Sequence, residues 1–324
     1  MVWGRGTGVG QEPIGIIGAG LMGHGIAQVF ATAGHPVTVV DADPAALRTA
    51  RAKIARNLDL LVEYEVLGRA AADRVPAQIQ FDADPAALGT TALLIEAVAE
   101  DLEVKRTLFR RLQPLLAAHT IIATNTSSIP VGLMAESTGR PDRFTTSHFF
   151  RPAYIIPIVE VTKGELTSEV TVQTVVRLLK GAGLRPVRIN VDLPGQVANR
   201  LRHALFREAL DLVERRVISQ EDIDELVAFS FGPRMPLMGV IRDRDLVSLE
   251  ITQRGAARVW PDLCNAATPH GRLRDLVAAG HLGFRTGQGF YDWRGADPDE
   301  LWATLERQQL EIFRALRRTG VLDG

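Results

Sequence analysis

One cysteine, Cys264, in 324 residues excludes an internal disulfide framework and fits a reducing, cytoplasmic compartment. No motif around Cys264 marks it as a nucleophile, and no metal site is expected. Long apolar runs are missing too, since none reaches the roughly 18–20 residues that a membrane span needs. Charge of one sign is not in excess: 37 Lys and Arg stand against 38 Asp and Glu, a formal net charge of −1. The bulk electrostatics therefore point to neither nucleic acid nor an anionic membrane as partner. The opening MVWGRGTGVGQEP lacks the apolar centre of a secretory signal and reads as a flexible extension over 1–12. Internal repeats and low-complexity tracts are absent.

What is present, from Pro13 on, is an alternation of apolar runs and helix-forming stretches. Ile14–Ile17 is wholly apolar, as expected of a strand covered on both faces. Helix formers follow from Leu21 to about Ala33, where Gly34 stops them. Val37–Val40 is a second buried strand. Asp43-Pro44 then supplies an N-cap and a proline at the first helical position, opening a helix to about Tyr64. The pattern continues as strand Ala92–Val98, helix Leu102–Ala117 and strand Thr120–Ala123. Further strands are expected near Phe144–Phe149, Ile156–Val161 and Pro186–Asn190, with a helix over about Ser168–Ala182.

Strands separated by helices of this length predict an α/β fold, a Rossmann-type doubly wound parallel sheet over 13–192. Leu193-Pro194-Gly195 interrupts the pattern, and 193–324 reads as an all-helical C-terminal domain. There Leu201, Leu205, Ala209, Leu212 and Val213 share one helix face. Ser219-Gln220-Glu221-Asp222 has capping-box spacing, and the chain finishes on a helix from about Pro298 to Arg318.

Gly18, Gly20 and Gly23 form G-x-G-x-x-G between the first strand and the first helix. Gly18 permits the tight turn, Gly20 lets a pyrophosphate approach the backbone, and Gly23 lets helix and strand pack closely. The helix N-terminus adds amide donors, and Leu21 and Met22 fall within the same turn. Asp41 ends the next strand 18 residues after Gly23. A carboxylate there accepts hydrogen bonds from the adenosine ribose and repels a 2′-phosphate, which selects NAD over NADP. The alternative for Asp41 is that it only starts a turn.

Four segments then resemble the 3-hydroxyacyl-CoA dehydrogenase family: IEAVAEDLEVK (95–105), NTSSIP (125–130), SHFFRPAYIIPIVEV (147–161) and PGQVANR (194–200). A fifth, HLGFRTGQGFYDW (281–293), is similar to the family's C-terminal glycine-rich signature. The residue types alone suit oxidation of a secondary alcohol. A histidine exchanges the hydroxyl proton near neutral pH, and Glu160, 12 residues after His148 on the next strand, is placed to fix its tautomer. The resemblance implies that His148 is the general base and Glu160 its orienting partner. It implies that Ser127 and Asn199 hold the substrate oxygen, and that Glu100, Lys105 and Asn125 lie at the cofactor. It further implies fatty acid metabolism and a homodimer paired through the helical domain.

The chain departs from the family at several positions. Arg151 stands where the family has asparagine, and polar Gln196 replaces an aromatic. Asn57 and Tyr64 occupy the places of a serine and a lysine associated with coenzyme A. GPRMPLMG (232–239), which includes Arg234, is closer to relatives acting on free hydroxy acids, such as gulonate and carnitine dehydrogenases. Two enzymatic readings stay open. One is a 3-hydroxyacyl-CoA dehydrogenase, with Arg48, Arg51, Lys53 and Arg56 either meeting coenzyme A phosphates or forming a solvated helix face. The other is a dehydrogenase of a free hydroxy acid whose carboxylate Arg151 or Arg234 binds. A non-catalytic NAD-binding protein is the alternative of another class.

Overall fold

The computed structural model describes residues 12–321, so the extension expected over 1–12 lies, Glu12 apart, outside the described residues. The chain divides into two compact units, 1–199 and 200–324. In the first, six strands pair in parallel: β1 (Ile14–Ile17), β2 (Val37–Val40), β3 (Ile79–Asp82), β4 (Leu93–Glu96), β5 (Ile121–Thr124) and β6 (Phe144–Thr146). Their order is β3-β2-β1-β4-β5-β6. The winding reverses between β1 and β4, and sheets of this kind hold their ligands beyond the carboxyl ends of the strands at that point.

Every residue of β1, β4 and β5 is buried, which is why they read as apolar runs up to Glu96 and Thr124 at the ends of β4 and β5. Three of the helices that follow the strands start at side-chain caps. In α2 (Pro44–Glu63) Asp43 accepts from the Ala45 amide; α3 (Arg69–Ala72) is a single turn; in α4 (Leu102–Leu112) Asp101 accepts from the Glu103 and Val104 amides. Before them, α1 (Gly23–Thr32) begins with no side-chain cap. Later come α5 (Glu169–Gly181), capped by Ser168, and α6 (Val197–Glu214). Phe109 of α4 meets Phe144 of β6 edge to face at 5.2 Å, in a core shared with Leu94, Ile122 and Leu112. Burying side chains of this size contributes roughly 1.5–3 kcal/mol each.

The structure differs from the sequence expectation in two places that matter. The strand expected over Phe144–Phe149 breaks at Ser147. Its first half joins the parallel sheet, whereas β7 (His148–Phe149) enters a second sheet of order β7-β8-β9 with β8 (Ile158–Thr162) and β9 (Arg185–Ile189). β7 runs antiparallel to β8, so these strands are not part of one parallel array. The break re-aims the chain and sets His148 directly opposite Glu160. Second, β3 was not expected, because it is an edge strand whose Gln80 is exposed and whose other residues are only half-buried.

The second unit is helical, with helices at Gln220–Phe229, Val240–Val247, Leu249–Val259, Gly271–Ala278 and Pro298–Arg318. Ser219 accepts from the Asp222 amide at 3.0 Å, and Asp297 caps the last helix. Among this unit's described apolar residues only Leu210, Leu310 and Leu316 are buried.

Candidate active site

β1 runs straight into the glycine turn. Gly18 has φ +99°, and a Cβ there would lie 2.6 Å from the Ala97 carbonyl oxygen. A Cβ on Gly23 would stand 1.8 Å from the Gly18 oxygen, so strand and helix meet backbone to backbone. Gly20 is the opposite case: it is exposed, and nothing lies within 4 Å of where its Cβ would be. Leu21 beside it is exposed, and at Met22 no side chain caps the first amides of α1. Asp41 accepts from the Ala19 amide through Oδ2 at 2.8 Å and from the Asp43 amide through Oδ1 at 3.0 Å. It starts the turn into α2 and braces the glycine loop as well.

At the neighbouring strand ends lies a buried assembly only half visible in the sequence. Glu96, the last residue of β4, is fully buried, and Lys105 of α4 is 1% exposed. Lys105 Nζ donates to both Glu96 oxygens at 2.7 and 2.9 Å and lies 3.4 Å from Glu100 Oε2. Thr124, ending β5, donates to Glu96 Oε2 at 2.6 Å. Glu100 Oε1 in turn accepts from Thr126 Oγ1, the amides of Ser127 and Ser128, and Ser128 Oγ. Burial pushes the Glu100 carboxyl up, but the Thr126 hydroxyl, the Lys105 charge and the two serines outweigh it and hold it below its ordinary value. Lys105, expected at the cofactor, is thus engaged by two carboxylates beneath the 125–128 loop. Glu96 was missed. Its signal was a carboxylate closing an apolar strand nine residues before a lysine.

The 125–128 loop is tied to the histidine strand. Asn125 Oδ1 accepts from the Phe149 amide at 2.8 Å, and the Ser127 carbonyl accepts from Asn199 Nδ2 at 3.4 Å. His148 is 5% exposed and Glu160 4%. Their Nδ1 and Oε2 atoms are 2.8 Å apart, and the Phe150 ring stands 4.6 Å from the imidazole. Glu160 Oε1 accepts from the amides of Val197 and Ala198, the first turn of α6, at 3.0 and 2.8 Å. Burial raises the Glu160 carboxyl, yet the His148 hydrogen bond and charge together with these amides leave it below its ordinary value. An ionised carboxylate is therefore built in behind the ring. Gln196, at the departure from the family, is buried with φ +52° and accepts from the Thr162 hydroxyl, which fixes the turn into α6.

The other candidates are placed less centrally. Arg151 is half-buried, three residues beyond His148. Arg234 belongs to the second unit, where it pairs with Asp243 at 2.8 Å. Asn57 is buried and donates to Gln28 Oε1 at 3.1 Å, and Tyr64 is half-buried. Of the basic residues on α2, Arg51 stacks on the Phe81 ring at 4.8 Å.

Residues 13–193 match the family model described as 3-hydroxyacyl-CoA dehydrogenase, NAD binding domain. Residues 195–293 match that of the 3-hydroxyacyl-CoA dehydrogenase C-terminal domain. The chain belongs to the 3-hydroxyacyl-CoA dehydrogenase family. It is 36% identical over 296 residues to the mitochondrial hydroxyacyl-coenzyme A dehydrogenase of Homo sapiens, covering 86% of this chain and 90% of that one. It is 33% identical over 304 residues to 5-formyl-3-hydroxy-2-methylpyridine 4-carboxylate 5-dehydrogenase of Mesorhizobium japonicum, covering 94% and 97%. A crystal structure of a dehydrogenase with that activity, an NAD+-dependent dismutase, matches with TM-score 0.87 and 30% identity over 97% of this chain and 99% of that one. (S)-3-hydroxybutyryl-CoA dehydrogenase from Ralstonia eutropha matches at 0.74 and 32% identity, over 87% and 99%.

This family member is NAD-dependent, and the residues present fit the cofactor. The open backbone at Gly20, the uncapped amides of α1 and the Asp41 carboxylate are the three features that a pyrophosphate followed by a ribose requires. No helix among the described residues is long and apolar enough to cross a membrane.

Proposed function

We propose that this chain interconverts a hydroxyl and a carbonyl on carbon 3 of an acyl substrate, with His148 as general base. The buried His148–Glu160 pair carries this reading. With Nδ1 bound to a carboxylate, the imidazole keeps its Nε2 lone pair for the substrate hydroxyl. In the oxidative direction Nε2 takes the hydroxyl proton as the carbon–oxygen bond becomes double. Bound NAD supplies the hydride acceptor. Glu160, kept ionised, stabilises the imidazolium so formed. We assign Ser127 and Asn199 to the substrate oxygen, which they hold in line with the base. Gly18, Gly20, Leu21, Met22 and Gly23 are assigned to the pyrophosphate and Asp41 to the adenosine ribose. Asn125, Glu100 and Lys105 are assigned to the nicotinamide side, where Lys105 acts through the loop that Glu100 holds. The setting proposed is cytoplasmic, and the assembly a homodimer formed by the helical unit.

For the substrate, a coenzyme A thioester is what the family name implies. A free carboxylic acid is the second reading. Asn57, at a position the family associates with coenzyme A, is turned inward onto Gln28. The relative covering 94% of the chain acts on a pyridine carboxylate. Arg151, close behind His148, supplies a guanidinium for such a group, a charge-assisted contact contributing about 1.5–3 kcal/mol. The test is NADH formation from short 3-hydroxyacyl-CoA thioesters, free 3-hydroxy acids and hydroxymethyl or formyl pyridine carboxylates. Turnover confined to thioesters, unchanged by Arg151→Asn, removes the second reading. Turnover of free acids, with KM raised about tenfold by Arg151→Asn, supports it. No NAD reduction with any of them overturns the proposal.

A further inference from the structure

The second unit carries a cluster that the dehydrogenase reaction does not use. Cys264 lies in the irregular segment between Asp262 and the helix starting at Gly271. Its Sγ is 3.5 Å from His270 Nε2. Asp211 of α6 completes a trio whose ligand atoms all lie within 4.8 Å of one another. The His270 side chain is 9% exposed, and its Nδ1 stands 3.1 Å from Glu214 Oε2, one helical turn beyond Asp211. The other Glu214 oxygen accepts from the Arg272 amide at 2.7 Å, and the Cys264 amide donates to Glu208 Oε2 at 2.7 Å. Glu208, Asp211 and Glu214 thus share one face of α6 and receive the whole 264–272 segment.

We propose that Asp211, Cys264 and His270 form a zinc site that fastens this segment to α6. The donor chemistry selects the metal: a thiolate, an imidazole and a carboxylate are a zinc set, whereas calcium and magnesium take oxygen donors. The geometry agrees. Zinc bonds of about 2.3 Å to sulfur and about 2.05 Å to nitrogen, at a tetrahedral angle, put those atoms roughly 3.6 Å apart. The observed 3.5 Å is that chord. Glu214 is the expected outer partner: a carboxylate on Nδ1 fixes the tautomer that turns the Nε2 lone pair toward the metal. Asp211 Oδ2 is held by Arg215 at 3.1 Å, and an Asp211 carboxylate oxygen lies within 4.8 Å of both the sulfur and the nitrogen, a separation that metal binding would shorten. Binding converts the thiol to a thiolate, the proton leaving to solvent as the zinc–sulfur bond forms. A water fills the fourth position. The sequence hid the site because Asp211 and Cys264 are distant along the chain and Cys264 and His270 follow no common metal-ligand spacing.

Because Cys264 is the only thiol, alkylation reports on this site alone. The full-length protein, treated with chelator and desalted, is titrated with zinc ions alone and reacted with iodoacetate. Zinc should bind at about one equivalent and slow carboxymethylation about tenfold or more, since the metal occupies the reacting thiolate. Cobalt ions should produce a thiolate-to-metal charge-transfer band. His270→Gln should abolish both the protection and the band, and Glu214→Gln should weaken zinc binding about 10–100-fold. Carboxymethylation of the unmutated protein at one rate with and without zinc overturns the proposal. So does a cobalt complex with no thiolate band. The trio is then a thiol–imidazole hydrogen bond only.

Discussion

Asp41 is the single residue on which we propose that the choice of nicotinamide cofactor turns. Its carboxylate is fixed by the Ala19 and Asp43 amides at the mouth of the glycine loop. A 2′-phosphate brought there meets like charge. NAD should therefore be used far more efficiently than NADP, and Asp41→Ala should narrow the gap while weakening NAD binding. Equal kcat/KM with the two cofactors in the unmutated protein contradicts this. Glu160 gives a second residue-scale expectation, with a definite sign. Its carboxyl titrates below the ordinary 4.5, so its stabilising contribution is complete above about pH 4.5 and is lost as pH falls through the lowered value. Glu160→Gln should cost roughly 1–3 kcal/mol at pH 7 in urea unfolding. That cost should shrink below pH 4.5, and a gap that stays constant into acid would refute the assignment.

Secondary-structure elements differ in how plainly the sequence announces them. β1, β2, β4 and β5 were legible because a strand covered on both faces is built mainly of apolar residues. β3 was not, since an edge strand needs no such run. The break at Ser147 was hidden as well: Phe144 to Phe149 is one β-prone stretch, and only tertiary pairing sends its halves to different sheets. The site shows the same division. The three glycines and the His148–Glu160 spacing mark themselves by residue type. The Val197 and Ala198 amides that hold Glu160 leave no trace, because every residue but proline carries an amide. Lys105 is expected at the cofactor by resemblance and Glu96 carries no reading of its own; their burial against one another follows only from the fold.

For the whole molecule, the second unit sets the main expectation. Phe229, Ile241 and Trp260 are 81%, 77% and 71% exposed in the single chain, while few apolar side chains of that unit are buried. We propose that a second copy of this unit covers these side chains. Sedimentation should therefore give twice the chain mass at micromolar concentration, and a monomer there would refute the homodimer. The central claim is that His148, backed by Glu160, moves the proton of the redox step. The most direct measurement is NADH formation by His148→Gln beside NAD binding to the same protein. The account predicts turnover lowered roughly 10²–10⁴-fold with NAD affinity nearly unchanged. A fully active His148→Gln enzyme would contradict it.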